Sequence, residues 1–320
     1  MDLHLLIDNL TNPALLFFFL GLLAVKIKSD LEIPPTSSKF ISLYLLFSIG
    51  FKGGQELAHS HFDMGILWAL LFGVLLAVTV PLYTFFILKQ RLSISNAGAI
   101  AAAYGSVSAV TFVTAVSFLD IQQIEFGGHM VAVMALMEAP SIIVGVLLMS
   151  IYEKEENNKA STGTLVKHAL SNGSVVLILG SLTIGYLASD AQAEGIKPFT
   201  TDIFKGFLAV FLLDMGISSG KKLSSFLQHG WFSLLFALII PIVNGSVVSV
   251  LSKFVSVETG DRFLFAILAA SASYIAVPAA MKLAAPKANE GLYLPMALAI
   301  TFPLNITLGM PLYLSIINAF

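Results

Sequence analysis

The sequence predicts an all-α polytopic membrane protein: ten transmembrane helices in two inverted five-helix repeats, with helices 4 and 9 broken near mid-membrane. Three observations predict this. Of 320 residues, 57% are hydrophobic and only 11% charged, whereas a soluble domain carries about a quarter charged residues. The mean hydropathy is +0.89, so the apolar surplus must face something apolar, and lipid is the natural candidate. Apolar segments near membrane-spanning length recur ten times, and the two halves of the chain echo each other.

The ten spans cover about 13–27, 35–52, 64–88, 94–118, 128–152, 173–188, 203–220, 231–252, 262–285 and 291–318. Short breaks rich in charge and turn residues separate them, such as "KSDLEIPP", "KQRLS" and "DIQQIEFGG". Trp68 and Trp231 open spans 3 and 8 in register, as interfacial anchors do. The longest polar stretch, Glu153 to Gly163, divides the spans five and five. This gives a first repeat over 1–152, a linker over 153–163 and a second repeat over 164–320.

Lys and Arg set the orientation. Twelve fall on the side of the central linker, among them Lys26, Lys89, Arg91 and Lys221, and five on the other, Lys52, Lys197, Lys205, Lys253 and Arg262. The bias places the linker in the cytoplasm and both termini outside a cell inner (plasma) membrane. Met1 to Leu10 lacks a basic region, so no cleavable signal peptide is expected. The net charge of −2 offers no field for nucleic acid, and the absence of cysteine excludes thiolate chemistry and Cys-based metal sites.

The repeat rests on four collinear matches. "FSIGFKGGQEL" (47–57) aligns with "LDMGISSGKKL" (213–223), Gly50 over Gly216. "GILWALLFGVLL" (65–76) resembles "GWFSLLFALII" (230–240). "AAAYGSVSAV" (101–110) resembles "LAASASYIAV" (268–277), at an offset of 165 or 166. "EAPSIIVG" (138–145) resembles "TFPLNITL" (301–308) at the shared proline. A five-span repeat is odd, so its second copy enters the membrane upside down. Inverted repeats mark secondary transporters, whose sites form where discontinuous helices of the two halves meet.

The candidate site follows from the interruptions. Gly105, Ser106, Val107 and Ser108 form a poor helix in the middle of span 4, with Thr111 just beyond. Span 9 carries Ser271, Ala272, Ser273 and Tyr274 at the matching depth, then Pro278. A small-residue packing face would explain one such segment, but two at corresponding positions point to a binding site. Half-helices restarting after Ser106 or Ser273 would offer free N–H groups to a small anion. The halves that end there would offer free carbonyls to sodium.

Glu138, ten residues into span 5, is an ionisable group at membrane depth and is expected to bind a cation or carry a proton. Thr301 and Asn305 occupy the matching part of span 10 and are expected to take part in ion binding or coupling. Asp214 and Lys52 sit in matching motifs and could pair, snorkel or join the ion path. His59 and His61 have metal-like spacing without a third ligand and read as a solvated loop. His4, His129, His168 and His229 read as interfacial. No nucleotide loop, catalytic triad or metal motif appears, so neither an enzyme nor ATP-driven transport is expected, and the driving force would be an ion gradient.

The segments "LEIPPTSSKFISLYLLFSIGFKGG", "YGSVSAVTFVTAVSFL", "MEAPSIIVGVLL", "AASASYIAVPAAMKLAAPKANE" and "LGMPLYLSI" resemble, in collinear order, the sodium-dependent bicarbonate transporter family (the SbtA type). The resemblance implies a core domain and a gate domain, elevator-like motion, a homotrimer, and bicarbonate held between the breaks of spans 4 and 9. It also implies sodium as the coupling ion, no other cofactor, and a PII-like cytoplasmic regulator. The chain departs from the family pattern at several points. The family has Gly-Ser at Ala109-Val110, Asp at Tyr274, Ser-Gly-Pro-Pro at Ala276 to Ala279, and Asp at Glu138. A cation/proton exchanger using Glu138 and Asp214, or a receptor that binds without transport, are the alternatives.

Overall fold

A computed structural model describes residues 3–59, 64–152, 171, 173–226 and 230–320. The predicted linker 153–163, together with His61, His168 and His229, lies outside the described residues. Among the described residues the chain is all helix, without strands. The helices are α1 Leu3–Leu10, α2 Pro13–Lys26, α3 Pro35–His59, α4 Met64–Leu88, α5 Ile94–Gly105, α6 Ala109–Gln122, α7 His129–Tyr152, α8 Gly173–Leu187, α9 Asp190–Lys197, α10 Phe204–Phe226, α11 Trp231–Leu251, α12 Thr259–Ala270 and α13 Ala276–Ala284. A final helical run, α14, covers Glu290–Ala319 and widens into π-helix over Met296–Thr301 and Asn305–Gly309.

Local chemistry explains several boundaries. Asn12 accepts the Ala14 amide to start α2, with Pro13 in the first turn. Ser93 caps α5. A capping box of Ser189 and Gln192 starts the short helix α9, which no span anticipated. Six helical stretches are long and apolar enough to cross a membrane: Met64–Leu88, Ile94–Gln122, His129–Tyr152, Asp190–Leu223, Trp231–Phe254 and Glu290–Ala319. Of the other predicted spans, α2 and α8 are apolar but shorter. The ninth is split into α12 and α13, and α3 carries Lys39, Lys52 and Glu56.

The helices form two groups. In one, α4, α5 and α7 pack together, and α11, α12 and the end of α14 do likewise. In the other, α3 lies along α8 and α2 along α10. Glycine permits both of the latter contacts. A Cβ on Gly54 would meet the Leu182 carbonyl and Gly185, and one on Gly216 would meet the Phe18 carbonyl and Gly21. Large apolar side chains cover the outside, with Trp68 and Trp231 59% and 68% exposed.

The helices flanking the breaks are the most deeply enclosed. Every residue of α5 from Ala97 to Gly105 is buried, as are Val110 to Leu119 of α6 and Gly260 to Ala270 of α12. A helix buried on all sides has no amphipathic stripe, and interrupted backbone is tolerated at membrane depth only where protein encloses it. The chain thus places its breaks where the physics allows them.

Proline in the surrounding helices is handled in the same way twice. Pro81 in α4 and Pro241 in α11 remove the N–H that would bind the carbonyl one turn earlier. Ser141 of α7 donates to the freed Ala77 carbonyl at 2.8 Å, and Thr301 of α14 donates to that of Ala237 at 2.9 Å. These hydrogen bonds set Thr301 against Ser141, about one turn from the Glu138 position to which the sequence match aligned it.

Candidate functional site

Span 4 breaks at Ser106 to Ser108 and span 9 at Ser271 to Ile275. The helices before them end alike: Ser106 caps α5 with φ −76 and ψ 176, and Ser271 caps α12 with φ −79 and ψ 165. The two breaks touch. The Ser108 amide donates to the Ser271 hydroxyl oxygen at 3.0 Å, that hydroxyl donates to the Leu268 carbonyl at 3.0 Å, and the Ser273 amide donates to the Ala103 carbonyl at 2.8 Å.

Ser108 also starts α6, its side chain accepting the Thr111 amide at 3.1 Å. Of the first four amides of that helix, those of Ala109 and Val110 keep no partner among the described residues. The Ser106 and Thr111 hydroxyls and one carboxyl oxygen of Glu138 are buried without a hydrogen-bond partner among the described residues. Orphaned buried polar atoms are rare and costly, and these three are hard oxygen donors of the kind that oxygen-seeking cations take.

A cavity of about 20 Å³ lies between the breaks. Val107, Ser108 and Ala109 line it from one side and Ser273, Tyr274 and Ile275 from the other, with Glu138 of α7 and Ser174 of α8 completing it. That volume suits a single water. Tyr274 is buried, its ring set edge-on to Phe302 at 6.1 Å, and its hydroxyl points to the Met215 sulfur of α10 at 3.7 Å.

The sequence profile of the Na+-dependent bicarbonate transporter superfamily matches residues 13–318. The chain belongs to that superfamily. It is therefore a multi-pass membrane protein of a transporter family. Comparison with the curated proteins finds no match.

Within this family member, the structure sorts the predicted residues. Ser108, Ser273, Val107, Tyr274 and Glu138 share the cavity, and Ser106, Thr111 and Ser271 adjoin it through the breaks. Gly105 and Ala272 do not line it. Gly105 has a packing reason to be glycine, because a Cβ there would strike the Pro81 ring.

Thr301 and Asn305 stand behind the breaks, not in the cavity. The Thr301 hydroxyl, occupied by Ala237, also lies 2.7 Å from the Tyr104 hydroxyl. The Asn305 amide donates to the Ala270 carbonyl at 2.8 Å and its oxygen accepts from Tyr313 at 3.1 Å. Asp214 is not among the residues lining the cavity and accepts the Ser38 hydroxyl at 2.5 Å. Lys52 lines a separate, larger cavity of about 370 Å³ between α3 and α6, with Glu56, Asp120 and Glu125. No group of three or more His, Asp or Glu suited to a metal occurs among the described residues.

Two expectations need correction. The half-helices restart after Ser108 and Ile275, not after Ser106 and Ser273, and the Ser273 amide is taken by the Ala103 carbonyl in holding the breaks together. The carbonyls ending α12 are not free either: Asn305 holds Ala270, and Asn244 holds Ala269 at 3.0 Å. A helix end inside an apolar protein needs such partners. Asn244, itself bonded to the Tyr83 hydroxyl, escaped the sequence reading. Its signal was present as an amide in the middle of the apolar run "LIIPIVNGSVV".

Proposed function

We propose that the protein is a sodium-coupled importer of bicarbonate or a similar small anion, which binds between the breaks of spans 4 and 9. The observation that carries this reading is that the Ala109 and Val110 amides, at the start of the helix whose Ser108 and Ala109 line the cavity, have no partner among the described residues. They form the positive end of α6, inside the protein and facing a second break. The Glu138 carboxylate in the same cavity is the natural ligand for the coupling cation.

Alternating access moves the break-bearing group, α4 to α7 with α11 to α14, as one body against the gate helices α2, α3, α8 and α10. Serving that motion, ten spans in two inverted halves are supported by paired contacts. Pro81, Ala77 and Ser141 repeat as Pro241, Ala237 and Thr301, at a common interval of 160 residues. Asp261 in the second half accepts the Gly127 amide of the first at 2.7 Å, while Asn96 in the first accepts the Asn289 amide of the second at 2.7 Å. In this reading the linker lies in the cytoplasm and both termini lie outside.

Labelled bicarbonate uptake into proteoliposomes, with and without an inward sodium gradient, tests the proposal. Uptake is expected to need the gradient, and Glu138→Gln to lower it by at least roughly tenfold, the order expected when a charged ligand in a buried site is removed. Uptake indifferent to sodium, or unaltered in Glu138→Gln, refutes the coupling scheme. The cation/proton exchanger is less well supported, because Glu138 lines the cavity whereas Asp214 does not and is engaged by Ser38. Proton release on a sodium jump without anion uptake would restore it.

A further inference from the structure

The break in span 9 is two residues longer than its counterpart, and the extra length contains Tyr274 and Ile275. At the corresponding point of the first break stands Ala109. The cavity is therefore walled by a small residue on one side and by a phenol ring on the other. Among the described residues, no other aromatic side chain lines it.

The ring is fixed at both ends. Phe302 packs against its edge at 6.1 Å and Met215 of α10 meets its hydroxyl at 3.7 Å. A buried side chain held in this way does not adapt freely, because interiors are close-packed and leave few gaps larger than a water. The remaining space, about 20 Å³, is what that ring leaves between the serines.

We propose that Tyr274 determines the size of anion that the site accepts, its ring closing the cavity to carboxylates larger than bicarbonate. The inference rests on the reading of this cavity as the anion site, and it assigns the substrate class as compact oxyanions. Bicarbonate, larger than one water, needs the ring to yield slightly, whereas a three-carbon carboxylate such as pyruvate needs it to leave. Steric discrimination of this kind is worth roughly tenfold to a hundredfold per added group.

Two experiments separate the filter from the function. The chain contains no cysteine, so Ala109→Cys places a single thiol on the cavity wall. Its modification by methyl and by benzyl methanethiosulfonate, each rate normalised to a free thiol, is expected to favour the methyl reagent by roughly tenfold or more. Tyr274→Ala should remove that preference, Tyr274→Leu should reduce it, and Tyr274→Phe, which keeps the ring, should preserve it. In uptake assays pyruvate should compete with bicarbonate in Tyr274→Ala and not in Tyr274→Phe. A labelling preference independent of residue 274, in protein that elutes and melts like the unsubstituted chain, overturns the filter whatever the uptake shows. Absent bicarbonate uptake by the unsubstituted protein, with the labelling pattern intact, counts against the proposed function and leaves the filter standing.

Discussion

The two breaks begin alike and are finished by different means. The first is closed by its own neighbours: three residues long, it ends at Ser108, whose hydroxyl caps the helix that follows. The second takes five residues and ends at Ile275, a side chain that cannot cap, in a right-handed conformation with φ −112 and ψ −58. Its stability comes from elsewhere in the chain. Asn244 and Asn305 hold the carbonyls that end α12, and Tyr83 and Tyr313 hold those amides in turn. The helix after the first break is capped locally, whereas the second break depends on four residues from three other helices.

That contrast can be broken most forcefully from the second side. Asn305→Ala removes the donor to the buried Ala270 carbonyl, worth about 1–3 kcal/mol when left unpaired, and one acceptor of the Tyr313 hydroxyl, which keeps the Pro241 carbonyl at 3.1 Å. A loss of about 2 kcal/mol is expected in unfolding measured by thermal or denaturant melts in detergent, although residue 305 lies 35 residues along the chain from the break it supports. A change indistinguishable from that of an exposed substitution would mean that the second break holds itself.

A smaller effect is expected at the first break. Ser108→Ala deletes an N-cap, which costs about 1 kcal/mol, and Ser108→Asn, also a good cap, should recover most of it in the same melts. A cost equal to that of Asn305→Ala would erase the distinction between the breaks. The smallest effect belongs to Ile275→Ser. Capping residues need an extended backbone to reach the N2 or N3 amide, and Ile275 is not extended. The substitution should alter stability by no more than about 0.5 kcal/mol, as surface changes usually do. A gain near that of a true cap would show that only the side chain was wanting.

Much of the site was legible because its signals are local. Gly105 to Ser108 cannot continue a helix well, and Ser271 to Tyr274 repeat the anomaly, so both interruptions stand where the sequence put them. Glu138 announced itself as a charge among apolar residues. The misreadings arose where a neighbouring helix decides the role. Thr301 and Asn305 looked like ligands because they are polar at depth. They are occupied because Pro241 frees a carbonyl beside one and α12 ends beside the other. Asp214 resembled a partner for an ion but meets Ser38 of α3, a contact across 176 positions that no periodicity reveals.

By itself the sequence determined the solvent and the interruptions. Its excess of apolar residues requires lipid around the helices, and its glycines, serines and prolines dictate where helical hydrogen bonding stops. Only the tertiary structure decided which of the stranded groups remain available. A freed carbonyl or amide in an apolar interior takes whatever partner packs against it, since leaving it bare is costly. Ala269 and Ala270 found asparagines, and the Ser273 amide found Ala103. The amides of Ala109 and Val110 and the oxygens of Ser106, Thr111 and Glu138 found none among the described residues. Those that remain, not all those the sequence exposes, define the site.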